Sequence, residues 1–291
     1  MRLRAGRWVA LLAVAAGFAH AQVFYVGDSG DGTIKRVDLA GNVSTYATGF
    51  AHVYGLAADP GGSLYVSSTT AHKVSVIDPS RNVTDYATNF PTNSNLLGMT
   101  FDAAGNLYVA DVSIGVYKVL PGGSASLWGT SMSYPHDAAF NDAGALYVAG
   151  GYNPMVVYSV SSGGSPSLFA SVSFTSSFSA IDFDRAGNAF VSDAHGAILK
   201  ITPAGAASTF LTGYNITDLV IDDSDNIYFT SGTTIYMATA AGTVSTFAAG
   251  FSNLTSITLA TSVPEPATMA ALLGALAFMA AMGWRRSRRR T

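Results

Sequence analysis

The sequence predicts an all-β fold, a six-bladed β-propeller closed by pairing of its N- and C-terminal strands. Three observations predict it. A motif of about a dozen residues recurs at a spacing near 40. Inside each recurrence, short runs alternate apolar and polar at period two and are rich in β-branched and aromatic residues, which favours strands over helices. The repeat also begins and ends half-way through a unit, in complementary phase.

The motif occupies residues 55–66, 98–109, 137–148, 180–191 and 218–229. Its aromatic position holds Tyr65, Tyr108, Tyr147, Phe190 and Tyr228, in steps of 43, 39, 43 and 38 residues. Tyr25 stands 40 residues before Tyr65. Each unit reads as four strands. The first is a small apolar run such as 56–58, followed by a turn built on Asp and Gly. The second carries the aromatic. The third and fourth resemble 74–77 and 83–86. Gly, Asn and Asp at the turns supply positive φ and local side-chain hydrogen bonds. Four strands per repeat of about 40 residues is the propeller pattern.

Residues 22–260 number 239, which is six units of about 40. Residues 23–26 fall in second-strand phase and 256–260 in first-strand phase. The last strand is therefore expected to complete the first blade, closing the ring and removing two open sheet edges. A ring of this kind accounts for the phase match, which an open array would not need.

Outside that repeat the ends read as addresses. Arg2, Arg4 and Arg7 precede a nearly continuous apolar stretch from 8 to 18, then Ala19-His20-Ala21. This is the pattern of a signal peptide over 1–21, cut between Ala21 and Gln22. At the other end a linker, 261–266, contains Pro264-Glu265-Pro266. An 18-residue uncharged run, 267–284, follows, and then five arginines between 285 and 290. As a helix the run would span about 27 Å, enough to approach a hydrocarbon core of about 30 Å. Its arginines would stay cytoplasmic and hold the propeller outside the membrane.

Composition agrees with export and narrows function. Only 11% of residues are charged, and cysteine is absent, which excludes a disulfide scaffold and a cysteine zinc site. Between 22 and 263 there are seven basic residues against 17 aspartates, a balance of −10. Nucleic acid, which demands a basic surface, is excluded as a partner.

Two resemblances follow from these residues. Pro264-Glu265-Pro266, the apolar run and the arginine cluster together resemble the PEP-CTERM sorting signal of Gram-negative bacteria. That resemblance implies an inner-membrane precursor, exosortase as a partner after the secretion machinery, cleavage near the triplet, and delivery to the cell surface or an exopolysaccharide matrix. The repeat resembles the NHL repeat and its six-bladed relatives, the gluconolactonase-like and virginiamycin lyase-like proteins. Among these, the gluconolactonase-like resemblance implies a divalent metal on acidic residues that include a glutamate. Glu265 is the only glutamate in the chain. The lyase-like resemblance implies histidines around a central channel.

Histidine phase supplies the one candidate site. His52 and His136 lie just before first strands, and His72 and His195 just before third strands. In a propeller both loop types open on one face. Asp28, Asp111 and Asp193 end second strands on that same face. Imidazole and carboxylate can bind a metal or exchange protons. No nucleophile, base and orienter set accompanies them, and no Gly-x-Ser-x-Gly or His-Glu-x-x-His motif is present. The Asp-x-x-Gly-Asn turns lack the alternating ligand spacing and terminal Glu of an EF-hand. No catalytic residue, cofactor or metal ligand is therefore assigned. The expectation is a binding face of His52, His72, Asp111, His136, Asp193 and His195 that meets a glycan, peptide or protein. The alternative is an exported lyase or hydrolase using those His and Asp residues.

Overall fold

The structure is a computed structural model. It describes residues 22–50, 52–152, 154–172, 178–193 and 196–261. The signal-peptide stretch, His195, the Pro264-Glu265-Pro266 triplet and the apolar run 267–284 lie outside the described residues.

Every regular element among the described residues is a strand, 24 in all, and they form six four-stranded sheets. Blade 1 contains β1 (Gln22–Asp28), β2 (Thr33–Val37) and β3 (Val43–Thr48). Blade 2 is β4 (Val53–Ala58), β5 (Leu64–Ser68), β6 (Lys73–Ile77) and β7 (Val83–Ala87). Blade 3 is β8 (Leu96–Phe101), β9 (Leu107–Asp111), β10 (Gly115–Val119) and β11 (Ala125–Gly129). Blade 4 is β12 (Asp137–Phe140), β13 (Leu146–Gly151), β14 (Met155–Val160) and β15 (Pro166–Val172). Blade 5 is β16 (Phe178–Phe183), β17 (Ala189–Asp193), β18 (Ala197–Ile201) and β19 (Ala207–Thr212). Blade 6 is β20 (Ile216–Ile221), β21 (Ile227–Ser231), β22 (Thr234–Ala238) and β23 (Val244–Ala249). The final strand, β24 (Leu254–Thr261), pairs antiparallel with β1 from Gln22↔Thr261 to Asp28↔Leu254. It becomes the innermost strand of blade 1, the closure that the phase of the repeat predicts.

The recurring aromatic joins the blades. Tyr65 on β5 packs edge-on against Tyr86 of its own blade at 4.7 Å and Phe101 of the next at 4.9 Å. Tyr108 repeats this with Trp128 and Phe140, and Tyr147 with Phe169 and Phe183. Across the closure, Tyr228 meets Phe24 at 4.4 Å and Phe247 at 4.9 Å. Such pairs contribute about 0.5–1.5 kcal/mol each beyond the area they bury.

The turns explain the other half of the motif. Asp102 Oδ1 accepts the N–H groups of Ala104 and Asn106 at 3.0 and 2.8 Å, and Oδ2 accepts from the Asn106 amide at 2.7 Å. Asp38, Asp184 and Asp222 hold their own turns in the same way. These carboxylates are occupied by the turn itself, as an Asx turn requires. Turn glycines also let blades approach: Gly123 sits at φ 89°, and a Cβ on it would lie 1.8 Å from the Tyr86 carbonyl oxygen of the preceding blade.

These turns define one face of the ring, the turn face. Both ends of the described chain lie there, since Gln22 pairs with Thr261 and its amide donates to Asp223 in the blade 6 turn at 3.1 Å. Loops joining blades and loops between second and third strands open on the opposite, loop face.

A carboxylate-lined channel as candidate functional site

The six innermost strands, β4, β8, β12, β16, β20 and β24, surround a central cavity of about 510 Å³. Each presents an open sheet edge inward, because its other edge pairs with the second strand. Those inward N–H and C=O groups need partners.

Three aspartates supply them on one half of the ring. Asp137 on β12 accepts the Ile181 N–H at 2.9 Å. Asp182 on β16 accepts the Ile221 N–H at 2.7 Å. Asp218 on β20 accepts the Ile257 N–H at 2.7 Å. Each carboxylate thus reaches from one blade to the innermost strand of the next. Hydroxyls do the matching work on carbonyls: Ser67 donates to Leu97 O at 2.7 Å and Thr217 to Leu254 O at 3.0 Å.

These acids keep part of their surface open to the channel lumen. Protein nevertheless surrounds their carboxyls closely on every side but the lumen. Burial raises the Asp137 carboxyl to about 7, against the lowering effect of its backbone hydrogen bonds. It raises Asp182 to about 6 in the same way. Asp218 is pushed well above the usual carboxylate range by burial and then by the charge of Asp137. No Lys or Arg lines the cavity among the described residues. The nearest relief is backbone N–H alone.

His136 lines the same cavity, and burial lowers its imidazole below the usual value. Its backbone carbonyl accepts the Gly98 N–H at 2.9 Å. Tyr54 forms part of the wall near the loop face, 42% exposed, with its ring nearly parallel to His52 at 6.2 Å.

The sequence-predicted residues fall into different settings. Of the six, His136 lies on the cavity wall. His52 is exposed and stacks on Tyr54, which does line it. His72 faces Ser94, its Nδ1 2.6 Å from that carbonyl oxygen. Asp111 is buried at the end of β9 and accepts the N–H groups of Asn95 and Ser113 at 3.1 and 2.9 Å. Asp193 is buried at the end of β17 and accepts the Ala197 N–H at 2.7 Å. Asp28 likewise accepts from Ser252 and Asn253. Those second-strand aspartates therefore organise loops. His195 lies outside the described residues.

Asp137, Asp182 and Asp218 are the residues sequence reasoning passed over. A signal for two of them exists. In the aligned repeat Asp137 and Asp218 hold the first motif position, where other blades have Gly55, Gly98 and Ala180. The geometry shows why: a Cβ on Gly98 would lie 1.9 Å from Asp137 Oδ1 and 2.8 Å from its Cα. Gly98→Ala is expected to cost about 1–3 kcal/mol by overpacking, read as a lowered melting temperature. An unchanged melt would mean that β8 and β12 do not approach this closely.

The divalent-metal site that the gluconolactonase-like resemblance implies does not fit these residues. Among the described residues no group of three or more His, Asp or Glu side chains is placed to hold a metal ion. The aspartates of the channel instead each reach to a backbone N–H of the next blade.

Ring count, closure and channel together define a six-bladed β-propeller, and solved structures share that fold. Virginiamycin B lyase from Staphylococcus aureus superposes with a TM-score of 0.61 at 16% identity, over 78% of this chain and 84% of that one. A candidate gluconolactonase superposes at 0.60 with 14% identity, over 72% and 82%. A Bacteroides caccae protein of unknown function superposes at 0.61 with 13% identity, over 83% of this chain and 100% of that one. No protein-family model and no curated protein matches the chain. At these identities the likeness is one of fold, with structural neighbours of the gluconolactonase and virginiamycin B lyase type.

Proposed function

We propose that the chain is an exported protein, sorted by a PEP-CTERM signal to the cell surface or extracellular matrix, whose propeller binds a ligand at the loop-face end of its channel. One observation carries the binding half of this reading. The cavity combines three carboxyls, an imidazole and an exposed aromatic ring, which is the mixed lining of a ligand site. The placement of the ends supports the display half. Both described ends lie on the turn face. A C-terminal segment held at a membrane would direct the loop face, with its cavity, away from that membrane.

In this reading residues 1–21 are removed as a signal peptide and 261–266 link the NHL-like propeller to a membrane helix within 267–291. No helix among the described residues is long and apolar enough to cross a membrane. Exosortase cuts near Pro264-Glu265-Pro266, passing the propeller on. Intact-mass measurement of the extracellular protein tests this. The expected species begins at Gln22 and lacks 267–291. A surface species that retains Trp284 and the arginines would leave a permanent anchor in place of sorting.

A second reading is an exported lyase or hydrolase. It is favoured by His136 in the same cavity as carboxyls held near neutral pH, an acid–base pairing suited to proton transfer. His136→Ala separates the two readings. It abolishes turnover under the enzymatic reading and has no reaction to affect under the binding one.

A further inference from the structure

We propose that the loop-face cavity takes an uncharged, hydroxyl-rich ligand, a segment of neutral polysaccharide, with one sugar ring lying against Tyr54. This rests on the reading of that cavity as a ligand site and names the chemistry it selects.

The lining eliminates the other classes in turn. An anionic ligand such as a uronate or a phosphate would approach Asp137, Asp182 and Asp218 with no Lys or Arg beside them. Such a ligand would find no positive charge to neutralise it, and the share of Asp137 and Asp182 that is ionised around neutral pH would repel it. A bare metal ion finds no convergent set of three ligands among the described residues. A wholly apolar ligand would cut the carboxyls, Asn95 and Thr69 off from water without replacing their hydrogen bonds, which opposes its binding.

Hydroxyl groups fit what remains. A sugar hydroxyl both donates and accepts, and the cavity offers both functions. After accepting its backbone N–H, each carboxylate oxygen retains a lone pair for a ligand hydroxyl. Asp137 and Asp182, raised to about 7 and about 6, exchange between acceptor and donor forms around neutral pH. His136, neutral because burial lowers its imidazole, adds one donor or one acceptor.

Tyr54 supplies the apolar contact. The residue is 42% exposed, and the His52 ring lies nearly parallel to it at 6.2 Å. A sugar ring has one face of C–H bonds, and these carry a slight positive charge. They suit the electron-rich face of a phenol ring. The cavity volume of about 510 Å³ lies inside the usual range of ligand pockets, about 300–1,000 Å³. A ring and its neighbours along a chain can enter from the loop face.

The test uses the purified full-length protein at pH 7, with calorimetry and ligand-observed NMR. The probes are neutral hexasaccharides cut from cellulose, dextran and mannan, an oligogalacturonate of equal length, and a neutral Gly-Ser hexapeptide. The expected result is saturable binding of at least one neutral sugar and none of the uronate. Tyr54→Ala should weaken that binding at least tenfold while the melting temperature stays near wild type, since the ring is exposed. Asp182→Asn should also change the affinity. The proposal is overturned if no neutral sugar binds, if the uronate binds as well, or if Tyr54→Ala leaves affinity intact. A peptide that binds and is lost in Tyr54→Ala, with no sugar bound, would keep the cavity as a ligand site and remove the sugar. Silence from every probe would remove both.

Discussion

Removing residues 252–261 is expected to leave no soluble, cooperatively melting propeller. The deletion takes away β24 and with it the inner quarter of blade 1. β1 loses its partner along the whole register from Gln22↔Thr261 to Asp28↔Leu254. Leu254 and Ile257, both buried, leave the core between blades 1 and 6. At about 1.5–3 kcal/mol for each large apolar side chain, these two alone approach the lower end of the roughly 5–15 kcal/mol that holds a domain folded. Asp28 then loses the N–H groups of Ser252 and Asn253 that hold its two oxygens, although it is fully buried. Asp218 loses the Ile257 N–H across the same joint. The exposed edge of β1 is an invitation to pair with another chain. Size-exclusion chromatography and circular dichroism read the outcome as aggregate without a thermal transition. A monomeric deletion variant with a sharp melt would show that ring closure does not hold the fold.

The fold was legible because its signals are local. An Asp that must hold its own turn, a Gly that must pass under a carbonyl and an aromatic that must meet two neighbours recur at fixed offsets. Closure was legible because the phases of 23–26 and 256–260 are complementary. Strand limits were less so. The first strand of blade 2 shows in sequence as the apolar run 56–58, but β4 begins at Val53. Its leading residues do alternate, Val53 buried in the core and Tyr54 exposed at the loop end of the channel, but they are too few to mark a strand before Gly55.

The candidate site was legible by face and not by direction. Sequence phase places Asp111 and Asp193 at the correct end of the ring, but it cannot say that their carboxylates turn back onto backbone N–H groups. Asp137 and Asp218 were visible as acids in a position otherwise held by small residues. Asp182 sits two residues further along its strand, at the level of Ala57 and Ala139, so no single column of the repeat collects all three. What unites them is a tertiary need, the unpaired N–H groups of an inward sheet edge, and that need has no sequence period.

Those three acids carry the remaining large expectation: the protein should melt at a lower temperature at pH 8 than at pH 5. An aspartate whose folded pKa is raised binds its proton more tightly in the folded state. Its contribution is fully present below the unfolded value, near 3.9, and is lost as pH rises through the folded value. For Asp182 and Asp137 the loss extends to about 6 and about 7, and for Asp218 it reaches higher still. At full strength the shift of Asp137 from 3.8 to about 7 is worth about 4 kcal/mol, at about 1.4 kcal/mol per pH unit. The carboxyls face a channel that water can enter, so an effect on the order of 1–2 kcal/mol for each group is expected. That is several degrees in melting temperature for a domain of this size. The surface aspartates do not obscure it. Asp38, Asp78 and Asp102 are held below the usual range by their turn hydrogen bonds, against burial where it applies, and remain ionised throughout pH 5–8. His136 opposes the trend, since its lowered imidazole gains stability as pH rises toward 6.5, but it is one group against three. The charge of Asp142 also raises Asp182, after burial. Asp218→Asn isolates the cause. Its amide oxygen can still accept the Ile257 N–H, while the ionisation and the repulsion with Asp137 disappear. The variant should equal or exceed wild type at pH 8 and lose that advantage at pH 5. Melting curves of both proteins at half-unit steps decide the matter, and a wild-type melting temperature that rises from pH 5 to pH 8 would mean that the channel carboxyls ionise freely.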